Sequence, residues 1–133
     1  PFYGELVGAW FRSHPPGLQR ARVRFEAPDT EAMLGPWRVT DELYDFRDNP
    51  RPQVTVIAAL HDREDTGGMG DDHPIAWCHQ RLGGRAWYTG LGHDPRIYAD
   101  PVFRALLRGG LHYALGMRAR CDEVSSDPAN MAR

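Results

Sequence analysis

The sequence predicts an α/β domain, and three observations predict it: a hairpin pattern from Pro74 to His93, a β-branched apolar run at Gln53–Leu60, and a capped amphipathic helix from Asp100 to Gly116. In the hairpin, two aromatic-rich runs flank a turn at Arg81-Leu82-Gly83-Gly84. Period-2 alternation puts Ile75, Trp77 and His79 on one face of the first strand and Ala76, Cys78 and Gln80 on the other. Ala86, Tyr88 and Gly90 alternate with Trp87, Thr89 and Leu91 on the return strand, and the small residues Gly90 and Gly92 bring the chain round to one imidazole, His93.

The run QVTVIAAL is apolar without alternation, as expected of a strand covered on both faces, the habit of parallel strands in α/β sheets. In the helix, Asp100 is the cap, Pro101 the first position and Gly116 the stop. Phe103, Leu107, Gly110, Leu111 and Ala114 form one apolar stripe at helical spacing, with His112 off it.

The remaining elements are shorter. Phe2–Phe11 is apolar with glycines at 4 and 8, a strand or loop that admits a close backbone neighbour, and His14-Pro15-Pro16-Gly17 ends it. Arg20, Arg22 and Arg24 alternate with Ala21, Val23 and Phe25, a strand with one wet face. Three guanidinium groups in a row there could grip an anion, but a solvated face is the reading adopted. Pro28–Leu34 reads as a short helix or turn capped by Asp29 or Thr30. Trp37–Phe46 carries Asp41, Glu42, Tyr44 and Asp45 with no clear periodicity. His61-Asp62 ends the apolar strand, Glu64–Asp72 reads as a glycine-rich mobile loop, and Met117–Arg133 as a frayed tail.

Composition bounds the function. At 133 residues the chain makes one domain, 1–116, with a flexible tail, 117–133. No apolar run reaches the roughly 20 residues that span a bilayer, so a soluble protein without membrane contact is expected. A net charge of −2 gives no positive field to draw in nucleic acid. All 16 basic residues are arginine, which excludes lysine Schiff bases and lysine-dependent phosphate loops. Two cysteines, Cys78 and Cys121, are too few for a disulfide framework and too far apart for a CxxC site, so a reducing compartment, the cytoplasm, is the simplest reading.

Four segments carry a family resemblance. Val7-Gly8-Ala9-Trp10-Phe11-Arg12-Ser13-His14-Pro15, Trp37–Tyr44, Pro74-Ile75-Ala76-Trp77 with Gly83–Thr89, and Leu91-Gly92-His93-Asp94 with the helix after it resemble, in this order, the trehalose-utilisation or ThuA-like family. The resemblance covers roughly Leu6 to Gly116. It implies a flavodoxin-like three-layer sandwich of the class I glutamine amidotransferase-like type, here incomplete at its N-terminus, and a role in carbohydrate metabolism. It does not imply amidotransfer, since neither Cys78 nor Cys121 sits on a nucleophile elbow.

Within that resemblance, acids that accept hydroxyl hydrogen bonds beside rings that cover the C–H face of a pyranose are what a sugar site needs. Asp41 and Glu42 are expected to orient hydroxyls or act as base, and His93 to act as acid or base. His14, Tyr44, Trp77, His79 and Tyr88 are expected to bind substrate. The bland alternative is an acidic loop anchored by a buried Trp37 and a loop histidine at 14. No cofactor is expected. Zinc is the metal to test, because His14, His79, His93 and Asp41 are adequate ligands, although their spacing matches no known pattern. The expected partner is a small-molecule sugar. A non-catalytic module serving a partner sugar dehydrogenase, a homo-oligomer formed through an open sheet edge, or a fragment without activity of its own are the alternatives.

Overall fold

The computed structural model describes residues 1–61, 63 and 68–123. Asp62, most of the expected mobile loop (64–67) and the end of the expected tail (124–133) lie outside the described residues. In chain order the elements are α1 (Phe2–Val7), β1 (Phe11–Ser13), β2 (Gln19–Phe25), α2 (Pro28–Leu34), β3 (Trp37–Asp41), β4 (Asp45–Phe46), β5 (Thr55–His61), β6 (Pro74–His79), β7 (Ala86–Thr89) and α3 (Pro101–Ala114). Short 3-10 turns occupy Arg51–Gln53 and Pro95–Ala99. Five strands form one sheet in the order β3-β2-β5-β6-β7, and β1 pairs with β4.

The α/β expectation holds, with a difference in the sheet. Every described strand pair is antiparallel, including both neighbours of β5. The apolar run of β5 arises from position alone. It is the middle strand, and Val56, Ile57, Ala58, Ala59 and Leu60 are buried from both sides. The β6–β7 hairpin has the register expected of it, Trp77 opposite Tyr88 and Cys78 opposite Trp87. In β2, Ala21, Val23 and Phe25 face inward as expected, and Arg22 lies 3.7 Å from Glu31 on α2.

Two faces of the sheet are covered differently. On one, the rings of Phe25 and Trp37 stack at 5.8 Å, Trp37 touches Phe103 of α3, and its indole N–H donates to the Asp100 carboxylate at 2.9 Å. On the other, Trp77 and His79 reach α1, while Phe46 of β4 packs edge-on to Trp77 at 5.1 Å.

Several elements differ from expectation. Phe2–Val7 is helical rather than extended: Gly8, at φ 94°, closes the helix by donating to the Gly4 carbonyl. A Cβ on Gly4 would overlap the Trp10 indole, so that glycine serves a helix–ring contact. Neither Asp29 nor Thr30 caps α2; its N-cap is Ala27, and the Thr30 hydroxyl instead donates to the Asp122 carbonyl at 3.2 Å. Trp37–Asp41, read as aperiodic, is a strand whose inward positions are Trp37, Val39 and Asp41.

The helix α3 is capped by Asp100, whose carboxylate accepts from the Val102 N–H at 2.8 Å, but its buried face is turned from the expected stripe. Phe103, Leu106, Gly110 and Tyr113 face the sheet, and Leu111 is 58% exposed. Gly110, common to the expected and the observed face, lies under Trp87, whose indole fills the space over it. Gly110→Ala is therefore expected to lower stability by about 1 kcal/mol. Overpacking costs about 1–3 kcal/mol, against about 1 kcal/mol returned by helix propensity. Urea denaturation checks this; a more stable alanine variant would show that α3 does not sit on Trp87.

The two cysteines are not free. Cys78 and Cys121 form a disulfide, correcting the expectation of reduced thiols. The cysteine count missed it because the partners are 43 residues apart and meet only when Met117–Glu123 folds back under the sheet. This stretch, placed in the tail by the sequence, is fastened further by Thr30 and by Arg85, which donates to the Arg118 carbonyl.

Candidate functional site

The site grows from the end of β3. An inward-facing strand position normally holds an apolar residue; here it holds Asp41, fully buried. Its carboxylate accepts three backbone N–H bonds: from Glu42 at 2.9 Å and Asp94 at 2.8 Å on Oδ1, and from Gly92 at 2.6 Å on Oδ2. A buried carboxylate bonded in this way binds two chain segments together. Gly92 is at φ 117°, and a Cβ there would press on the Tyr98 hydroxyl, so the turn requires glycine. With the N–H groups on both sides of it tied to Asp41, His93 is held out toward solvent, its side chain 52% exposed. Asp94 then caps the following 3-10 turn, and the Arg96 guanidinium beside it holds its carboxyl below the usual carboxylate range.

Glu42 is the centre of the group. Its Oε1 lies 3.3 Å from His14 Nε2 and its Oε2 lies 3.2 Å from His93 Nε2, while its own side chain is only 13% exposed. His14 comes from the β1–β2 connection. Its Nδ1 donates to the Pro15 carbonyl at 2.9 Å, which fixes Nε2 toward Glu42. Tyr44 closes the third side, with its ring stacked on His14 at 6.0 Å and edge-on to Phe11 at 5.0 Å. Burial, the charges of Glu42 and Asp41, and a hydrogen bond to Glu42 all push the Tyr44 phenol up, so it keeps its proton.

A second polar group lies beneath. Asp45 and Arg63 are ion-paired at 2.7 Å with side chains only 7% exposed, Arg63 meets His73 Nδ1 at 3.1 Å, and His73 Nε2 meets the Tyr44 carbonyl at 2.8 Å. Arg12 approaches Asp45 at 3.9 Å and donates to the Gly68 carbonyl.

The structure therefore brings together His14, Glu42, Tyr44 and His93, and it holds Asp41 directly behind them with both oxygens committed to the backbone. Trp77 and His79 are not with them. Both are buried, the Trp77 indole donating to the Val7 carbonyl and His79 Nε2 to the Leu6 carbonyl, each at 2.7 Å, so they fasten the end of α1. Tyr88 packs against Trp77 at 4.7 Å, partly buried, and that burial raises its phenol above the ordinary range. The ligand set expected for zinc is not assembled, since His79 lies under α1 and Asp41 is fully buried and bound to three backbone N–H groups. Among the described residues no group of three or more His, Cys, Asp and Glu is placed to hold a metal ion.

Sequence reasoning missed Phe11, Asp45, Arg63 and His73. Asp45 was visible as one more acid in an acidic stretch, but His73 and Arg63 carry no local signal: they meet Asp45 from 28 and 18 residues away.

Fold and site together define a small α/β domain with a carboxylate held between two imidazoles at the strand ends. The family model described as trehalose utilisation, ThuA, matches residues 1–114, and the chain belongs to that family. Membership ties it to carbohydrate metabolism. No curated protein and no solved structure matches it. Among the described residues no helix is long and apolar enough to cross a membrane.

Proposed function

We propose that the domain binds a disaccharide or an oxidised keto-sugar at the Glu42 cluster and moves a proton there. The observation that carries this reading is the Glu42 carboxylate spanning His14 Nε2 and His93 Nε2. A carboxylate–imidazole pair is a proton-transfer unit, and the more exposed His93 is the member that meets substrate at a hydroxyl or carbonyl oxygen. Glu42 orients it and balances its charge, and His14 holds the other oxygen of Glu42. Tyr44 and Phe11 offer ring surface, and Tyr44, held as a phenol, offers a hydrogen bond. Asp41 is assigned a positioning role, because it is fully buried and both its oxygens already accept backbone N–H bonds.

The finer fold reading, a flavodoxin-like sandwich of the amidotransferase-like type, belongs to the same proposal. Family membership and helices on both faces of the sheet support it, while the antiparallel pairing of every described strand departs from the mostly parallel sheet of that fold. The disulfide supports a reaction without a cysteine nucleophile. It also removes the ground for a cytoplasmic location, which was two free thiols; an oxidising compartment fits the bond.

A second reading, a non-catalytic module that docks a partner such as a sugar dehydrogenase or a second copy, is favoured by the exposed Phe2, Tyr3 and Trp10, which are 67%, 73% and 40% exposed. Calorimetry and product analysis with trehalose and a keto-disaccharide separate the two. We expect binding with turnover in the parent chain, and in Glu42→Gln at least a tenfold loss of both with an unchanged melt. Equal activity in the variant would overturn the assignment; binding without product would leave the docking reading.

A further inference from the structure

We infer that Asp45, Arg63 and His73 are a positioning unit that sets Tyr44 against Glu42. The inference rests on the proposed site for its meaning in turnover, but its geometry stands apart from it. The hydrogen-bond directions follow from chemistry. A guanidinium only donates, so Arg63 gives protons to Asp45 Oδ1 at 2.7 Å and to His73 Nδ1 at 3.1 Å. His73 therefore presents a lone pair at Nδ1 and its proton at Nε2, and a carbonyl only accepts, so that proton goes to the Tyr44 carbonyl at 2.8 Å. The chain of bonds runs in one direction, from the Asp45–Arg63 pair through one fixed tautomer to the backbone of Tyr44.

Burial makes this arrangement costly as mere filling. The His73 side chain is 2% exposed, and those of Asp45 and Arg63 are each 7% exposed. Charges taken out of water are paid for only by good geometry, and an apolar trio of similar volume would hold two strands as well. What an apolar trio would not supply is a directed bond to one carbonyl. Tyr44 lies between Glu42 and Asp45 in the chain and has no regular strand pairing of its own. With its carbonyl held by His73, its ring is fixed on His14, beside the Glu42 carboxylate that His14 meets.

The test compares His73→Leu with His73→Gln and needs no substrate. Glutamine keeps both bonds, with Nε2 donating to Tyr44 and Oε1 accepting from Arg63; leucine keeps neither. The readout is the titration of the Tyr44 phenol by tyrosine ring-carbon NMR, assigned by difference from Tyr44→Phe. In the parent it lies above the ordinary tyrosine range. We expect it to fall toward that range in His73→Leu and to stay raised in His73→Gln. Asp45→Asn, which leaves His73 in place and weakens the hold of Arg63, should move it in the same direction by less, and it serves where the leucine variant does not fold. A folded His73→Leu or Asp45→Asn variant with parental Tyr44 titration would reduce the unit to a structural ion pair and overturn the inference. Failure of Glu42→Gln to affect sugar binding would instead count against the function alone.

Discussion

Asp41→Ala is expected to lose roughly 3–5 kcal/mol of folding stability, with a fall in melting temperature of roughly 10–20 °C. The substitution strips three backbone N–H groups, those of Glu42, Gly92 and Asp94, of their acceptor in a place water does not reach. Asp41→Asn should fall between parent and alanine. An amide oxygen can keep the two bonds made by Oδ1, but the amide nitrogen then faces the Gly92 N–H, donor against donor. Because the same bonds carry His93 on either side, hydrogen exchange at Gly92 and Asp94 should accelerate with the loss of stability. An alanine variant within 1 kcal/mol of the parent would mean that the carboxylate does not hold the two segments together.

Reduction of the Cys78–Cys121 bond, or Cys121→Ser, is expected to cost about 4 kcal/mol by the chain-entropy argument for a loop closed across 43 residues. Both cysteines are only 4% exposed, so reductant should act when the domain opens rather than on the native state. The loss has a defined location. Cys78 lies in β6, and Cys121 belongs to the 117–123 stretch, which also meets α2 through Thr30 and Asp122. The Glu42 cluster shares none of these contacts, so sugar binding by the serine variant should match the parent below its new melting point. Melts with and without reductant check the first part; identical melts would show that the bond contributes nothing to the fold.

The parts of the fold that could be read from the sequence are those whose pattern is local. Alternation gave β2 and the β6–β7 hairpin, an unbroken apolar run gave β5, and Asp100-Pro101 gave the start of α3. The parts that could not be read depend on distant contacts. Asp41 occupies an inward strand position where alternation looks for an apolar residue, so β3 was lost to view. Six residues of α1 are too few to show a helical stripe, and the stripe of α3 was turned by the burial of Leu106 and Tyr113 in place of Leu111 and Ala114. At the site, His14, Glu42, Tyr44 and His93 were legible as acids and imidazoles near aromatic residues. Trp77 and His79 looked equivalent to them, but β6 is buried along its whole length, and neither face of it was left to line a pocket. The Asp45–Arg63–His73 group has no sequence pattern at all, since three separated segments supply it.

The central claim is that Glu42 and its two histidines are where sugar binds. The most direct measurement follows the imidazole nitrogen resonances of His14 and His93 by NMR while a keto-disaccharide, and separately trehalose, is added. We expect saturable shifts at both rings with one of these sugars, and their absence in Glu42→Gln. Saturable binding that leaves both rings unmoved, or no binding of either sugar to the folded chain, would contradict the account.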